Sequence, residues 1–139
     1  MKSALYFSRK TGNLVLLGSE VGGVTTLASS AIDGAFSEVL RFAPQDEKAL
    51  GDTLDRMFED DAVRVGGGMT IDHFHYVCRL VRKAFNNEGR AVFSSANDAA
   101  IAVSVLKASG LMSRAWLVRI AVPAKRSSLV ERQAELAFA

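Results

Sequence analysis

Apolar and polar positions change period several times along the chain. Residues 2–8 and 14–18 are short runs rich in Leu, Val, Tyr and Phe. Between them lies Arg9-Lys10-Thr11-Gly12-Asn13, whose glycine and asparagine tolerate positive φ. This pattern predicts a β-hairpin. Gly22-Gly23 breaks the chain, and residues 24–27 add a brief strand. Over residues 29–42, Ile32, Phe36, Val39 and Leu40 fall at helical spacing, so a helix is expected there, ended by Pro44. Gly34 weakens it by about 1 kcal/mol relative to alanine. Residues 46–61 predict a second helix, with Leu50, Leu54, Met57 and Phe58 as its apolar stripe and acids over the rest.

Val63-Arg64-Val65 then runs into Gly66-Gly67-Gly68, a second break. A helix is predicted from Thr70, whose hydroxyl caps the first turn, to about Asn87. There Ile71, Phe74, Cys78, Val81 and Phe85 recur at spacings of three and four. Residues 91–94 read as a strand. Ser95 or Asn97 caps a helix to Ser109 that Gly110 closes, and its nearly all-round apolar character predicts burial. Residues 115–122, with Trp116, Val118, Ile120 and Val122 on one side, predict a further strand, stopped by Pro123. Ser128 and Glu131 fit a capping box for a C-terminal helix to about Phe138. The class is α+β: a small mixed or mostly antiparallel sheet, built from the N-terminal hairpin and strands near 91–94 and 115–122, packed with about five helices. A chain of 139 residues is expected to form one globular domain, 1–139, around one core.

Composition narrows the class further. A hydrophobic fraction of 49% supplies enough apolar surface to offset the entropy of ordering the chain. The lone cysteine, Cys78, excludes an internal disulfide, so a reducing, cytoplasmic setting is expected. No apolar stretch has the length of a membrane span or a signal-peptide core, and no membrane association is expected. The formal net charge of +2 hides an asymmetry. Residues 1–61 hold 6 Lys/Arg and 10 Asp/Glu, whereas residues 62–139 hold 11 and 5. Such a division points to charged docking surfaces or to complementary self-association.

The polar side of the 70–87 helix carries the candidate binding residues. His75, Arg79 and Arg82 lie at spacings of four and three, with Tyr76, Lys83 and Asn86 alongside. Arginine forks and a lysine so arranged grip phosphates, and Tyr76 offers a ring for stacking on a base. Arg90, Arg114, Lys125 and Arg126 are candidates to extend the patch. Gly66, Gly67, Gly68 and Thr70 form a possible anion site, because free amides ahead of a helix attract negative charge. The segment lacks the Lys-Ser/Thr ending of a phosphate loop and the glycine spacing of a dinucleotide site. Asp72, His73, His75 and Cys78 have a metal-ligand flavour, but His73 sits roughly 160 degrees from His75 around the helix and Cys78 falls on the apolar stripe. No metal site, cofactor or catalytic residue is therefore expected.

Ser94-Ser95 at a strand end, followed by a helix and then Trp116-Leu117-Val118-Arg119, is similar in layout to part of the ADP-ribosyltransferase family. The family's catalytic glutamate has no counterpart here: no acid follows Arg119 on its strand, and Glu131 and Glu135 fall in a predicted helix. No activity is carried over from this likeness.

The expected function is a non-enzymatic, protein-binding or regulatory one, adaptor- or inhibitor-like, exercised through charged helix surfaces. The partner is another protein, with a second copy of the chain as one candidate. One alternative is a nucleic-acid-binding regulator that uses the basic face of the 70–87 helix. Another is a small nucleotide-binding or transferase enzyme with a pocket near 66–70 or 94–97.

Overall fold

The structure is a computed structural model that describes residues 2–34, 36–58, 62–87 and 92–112. Among the described residues, five strands form one antiparallel sheet: β1 (Lys2–Ser8), β2 (Asn13–Ser19), β3 (Thr25–Ala31), β4 (Ser37–Phe42) and β5 (Ala62–Gly67). Their order across the sheet is β4-β3-β2-β1-β5. The described residues also hold three helices: α1 (Glu47–Met57), entered through a 3₁₀ turn at Pro44–Asp46, α2 (Ile71–Asn86) and α3 (Ala96–Ala108).

Alternation along the strands builds two cores. Leu5 and Phe7 of β1 pair with Leu16 and Leu14 of β2, and Leu16 pairs with Ala28 of β3. These side chains face the same way and pack against Phe74, Val77, Cys78 and Val81 of α2 and Ala102, Val105 and Leu106 of α3. On the opposite face, Val15 and Leu27 meet Met57, with Leu50 and Leu54 of α1 and Phe58 just beyond its end packed around them. The sheet is therefore the middle of three layers, with α1 on one side and α2 and α3 on the other. Tyr6 adds an edge-to-face contact with Phe58, ring centroids 5.3 Å apart.

The α+β class and the N-terminal hairpin match the sequence reading. Four details differ. The helix expected over residues 29–42 is instead most of a second hairpin, with β3 and β4 turning through Asp33 and Gly34. Gly34 has φ +90, a conformation side-chain-bearing residues rarely adopt, and this ends β3 cleanly. Helical spacing misleads here because residues 26–30 are buried on both faces of a covered strand, which erases the two-residue alternation. Secondly, about five helices were expected, and the described residues hold three. Thirdly, residues 91–94 form no strand among the described residues, where Val92 makes only a lone bridge. Finally, α3 is not fully buried: Ala96, Ala100, Ser104, Lys107 and Ala108 are exposed. The strand expected at 115–122 and the C-terminal helix lie outside the described residues.

No helix among the described residues is long and apolar enough to cross a membrane.

Candidate binding surface on α2

The helix predicted from Thr70 is α2, and its cap is the expected one: Thr70 Oγ1 accepts a hydrogen bond from the His73 amide at 3.1 Å. Phe74, Val77, Cys78, Leu80 and Val81 point into the core, which leaves Arg79 and Lys83 on the outward side of the helix. Arg79 and Lys83 are exposed, one turn apart, and His75 and Tyr76 are half-buried beside them. Four of the five residues singled out from the sequence thus stay on or at the border of one helix face.

Arg82 departs from that row. Its guanidinium donates to Ser30 Oγ at 3.0 Å, and its buried Nε has no hydrogen-bond partner. A Cβ at Gly34 would sit 2.7 Å from Arg82 Cδ and Nε, so the bare glycine leaves the room the arginine occupies. Asn86 Nδ2 donates to the Asp33 carbonyl at 3.2 Å and adds a second tie to the same turn. Arg82 therefore latches α2 to the end of β3, and Asn86 ties it to the turn that follows.

The two outward cations are held over aromatic rings. The Arg79 guanidinium lies 5.2 Å from the Tyr76 ring centre, and Lys83 Nζ lies 5.2 Å from that of Phe93. Such contacts favour one arrangement of otherwise floppy side chains. Tyr76 is itself anchored, its hydroxyl donating to Asp98 Oδ1. That bond, together with burial, pushes the Tyr76 hydroxyl above its usual range, and the nearby Arg79 charge opposes the shift. Asp98 also accepts from Ser94 Oγ at 3.3 Å, while its amide donates to Ser95 Oγ at 3.1 Å and so caps α3. Val92, which precedes the buried Phe93, is 54% exposed. Asp98, Val92 and Phe93 were not singled out from the sequence. The one legible signal was an acid three residues after the capping Ser95, a position that favours negative charge.

The glycine segment is not an open loop. Gly66 and Gly67 belong to β5 and pair with Leu5 and Ala4. A Cβ at Gly67 would meet the Ser3 carbonyl at 2.7 Å, which requires glycine there. The Gly68 amide donates to that carbonyl at 3.0 Å, and the Met69 amide donates to Ser3 Oγ at 2.9 Å. Donors that an anion would need at Gly68 and Met69 are thus engaged by Ser3, and Thr70 serves the cap. Beside them a cleft between β5, α2 and α3 is floored by Leu5, Val65, Val77 and Val105, with His73 and Ser104 on its lining.

Cys78 and His73 point apart. The thiol is in the core while His73 is exposed, and among the described residues no three His, Cys, Asp or Glu side chains could hold a metal ion together. Burial pushes the Cys78 thiol up to about 12, against the opposing pull of Ser30 and Arg82. Near pH 8 the native thiol is expected to react with a disulfide reagent roughly 1,000-fold more slowly than the unfolded chain, since only the thiolate attacks. The native state also holds this proton more tightly than the unfolded one, whose thiol titrates near 9.0. Stability is therefore lost as pH climbs from about 9 toward 12. Reagent kinetics with and without denaturant, and urea melts of wild type and Cys78→Ala across that range, check both expectations.

Together, the layers and this face define a three-layer α+β fold with a cationic, aromatic-backed helix surface. Compared with protein-family models, with curated proteins and with solved structures, the chain matches none. The residues 116–119 on which the ADP-ribosyltransferase layout depends lie outside the described residues, as do Arg90, Arg114, Lys125 and Arg126.

Proposed function

We propose that the chain is a protein-binding module whose α2 face receives an acidic, partly apolar segment of another protein. The observation that carries this reading is the pair Arg79 and Lys83, exposed one turn apart and each poised over an aromatic ring, with the exposed Val92 next in sequence to the Phe93 beneath Lys83. Arginine, tyrosine and an apolar neighbour make the kind of patch that dominates protein interfaces. A carboxylate pair spaced by one helical turn or two strand residues fits these cations, and Val92 takes an apolar side chain. With Arg82 turned toward Ser30, the row of three cations that favours a phosphate backbone is shortened to two. The Tyr76 ring has one face covered by Arg79 and its hydroxyl engaged by Asp98, which disfavours stacking of a base.

The test uses a fluorescent peptide of alternating glutamate and leucine alongside a single-stranded DNA oligonucleotide of equal charge. The peptide is expected to bind at low salt. The double variant Arg79→Ala plus Lys83→Ala is expected to weaken it by about 10-fold or more, because both charged contacts are lost while the fold is untouched. Binding of the DNA but not the peptide would replace this reading with the nucleic-acid one.

A further inference from the structure

We propose that the acidic segment the α2 face receives is helix α1 of a second copy of this chain, so that copies associate head to tail. This rests on the docking reading above and names its partner. The three-layer arrangement turns an uneven charge distribution along the sequence into an uneven distribution in space. Residues 46–61 contain seven acids against Lys48 and Arg56. Among the described ones, Asp46, Glu47, Asp52 and Asp55 are exposed on the layer that α1 forms. Across the sheet, the exposed cations of α2 are Arg79 and Lys83.

The spacings also match. Asp52 and Asp55 lie three apart on α1, and Arg79 and Lys83 lie four apart on α2, and both intervals bring Cβ atoms to about 5–6 Å on a helix surface. Lys48 Nζ sits 3.2 Å from Asp52, so a docked cation shares that carboxylate while Asp55 takes the other directly. The acidic helix lies on one side of the sheet and the cationic helix on the other. A copy docked through its α1 therefore leaves its own α2 face open for the next. Such a contact is heterologous, and it adds copies in a row instead of closing a two-fold dimer. Pairs of exposed charges bind weakly and are screened by salt, so the association is reversible and strongest at low ionic strength.

Sedimentation of the whole chain at rising concentration tests this, with two charge-reversed variants. One carries Arg79→Glu plus Lys83→Glu, and the other carries Asp52→Lys plus Asp55→Lys. In about 20 mM salt the wild type is expected to show a mean mass that climbs steadily with concentration and returns to the monomer in about 500 mM salt, where the screening length falls to a few ångströms. Each reversed variant alone is expected to stay monomeric. An equimolar mixture of the two is expected to associate again, since each then meets the opposite charge on both faces. A wild type that stays monomeric throughout, a dimer that grows no further, association that survives in either variant alone, or a mixture that fails to associate would each overturn the proposal. If the glutamate–leucine peptide still binds at Arg79 and Lys83 in that event, the self-docking idea alone falls. If the peptide also fails to bind, the docking reading falls with it.

Discussion

Replacing Phe74 with alanine is expected to cost about 3–5 kcal/mol, the largest loss from any single change considered for this chain. The ring is 0% exposed and stands where the sheet face formed by Leu5 and Leu16 meets α2 and α3. Alanine forfeits the ring's transfer free energy and leaves a hole among side chains that two strands and two helices hold in place, so collapse can fill little of it. A domain of this size has a total stability on the order of 5–15 kcal/mol, so the variant would stand near the edge of folding. A urea midpoint that drops with an unchanged slope, together with a melting point about 10–20 °C lower, is the expected signature. Phe36→Ala is the control: that ring is 43% exposed, and its loss should change stability by no more than about 0.5 kcal/mol. A Phe74→Ala cost as small as the control's would mean that α2 does not pack on this face of the sheet.

Asp98→Ala is expected to be the costliest polar substitution, at about 2–3 kcal/mol. The carboxylate is buried, receives the Tyr76 and Ser94 hydroxyls, and lies in the first turn of α3, where the helix dipole favours its charge. Alanine leaves the half-buried Tyr76 hydroxyl without its acceptor, turns the exposed Ser94 hydroxyl to water, and leaves only the Ser95 cap in place. Tyr76→Phe should cost less, because it removes one donor and leaves the carboxylate its other partner. The double variant should cost less than the sum of the two, since both changes remove the same bond. Strictly additive losses would show that the Tyr76–Asp98 bond does not bind α2 to α3. The same substitution also tests the surface. Asp98→Ala leaves every exposed cation in place yet frees the ring beneath Arg79, so acidic-peptide affinity should fall several-fold even in folded protein.

Much of this could be read from the residues, for reasons that differ by element. α2 was legible because a single face carries Phe74, Cys78 and Val81 while the other is polar, and Thr70 marks its start. α3 was legible from its ends, Ser95 and Gly110, although its apolar composition overstated its burial. The β3–β4 hairpin was not legible. Its residues Ala28, Ser29 and Ser30 are small because two layers press on them, and small residues carry no preference strong enough to oppose the accidental helical spacing of Ile32, Phe36, Val39 and Leu40. The inward turn of Arg82 was equally hidden. It depends on the missing side chain of Gly34, a neighbour only in the folded molecule. Val63-Arg64-Val65 gave too short a run to announce β5, whose identity comes from pairing with β1.

That pairing has a kinetic consequence. β1 to β4 are joined in succession, so each hairpin closes a short loop and can form early. β5 must return past α1 to lie beside β1, where Ser8 meets Ala62 and Ala4 meets Gly67. Closing the longer loop costs more chain entropy before any contact rewards it. The Ser3 clamp on Gly68 and Met69 cannot lock until then, and it fixes the root of α2. The helix bearing Arg79 and Lys83 is therefore seated by the slowest-forming junction of the sheet, and local opening at β5 would unseat the cationic face while the four-strand meander still holds.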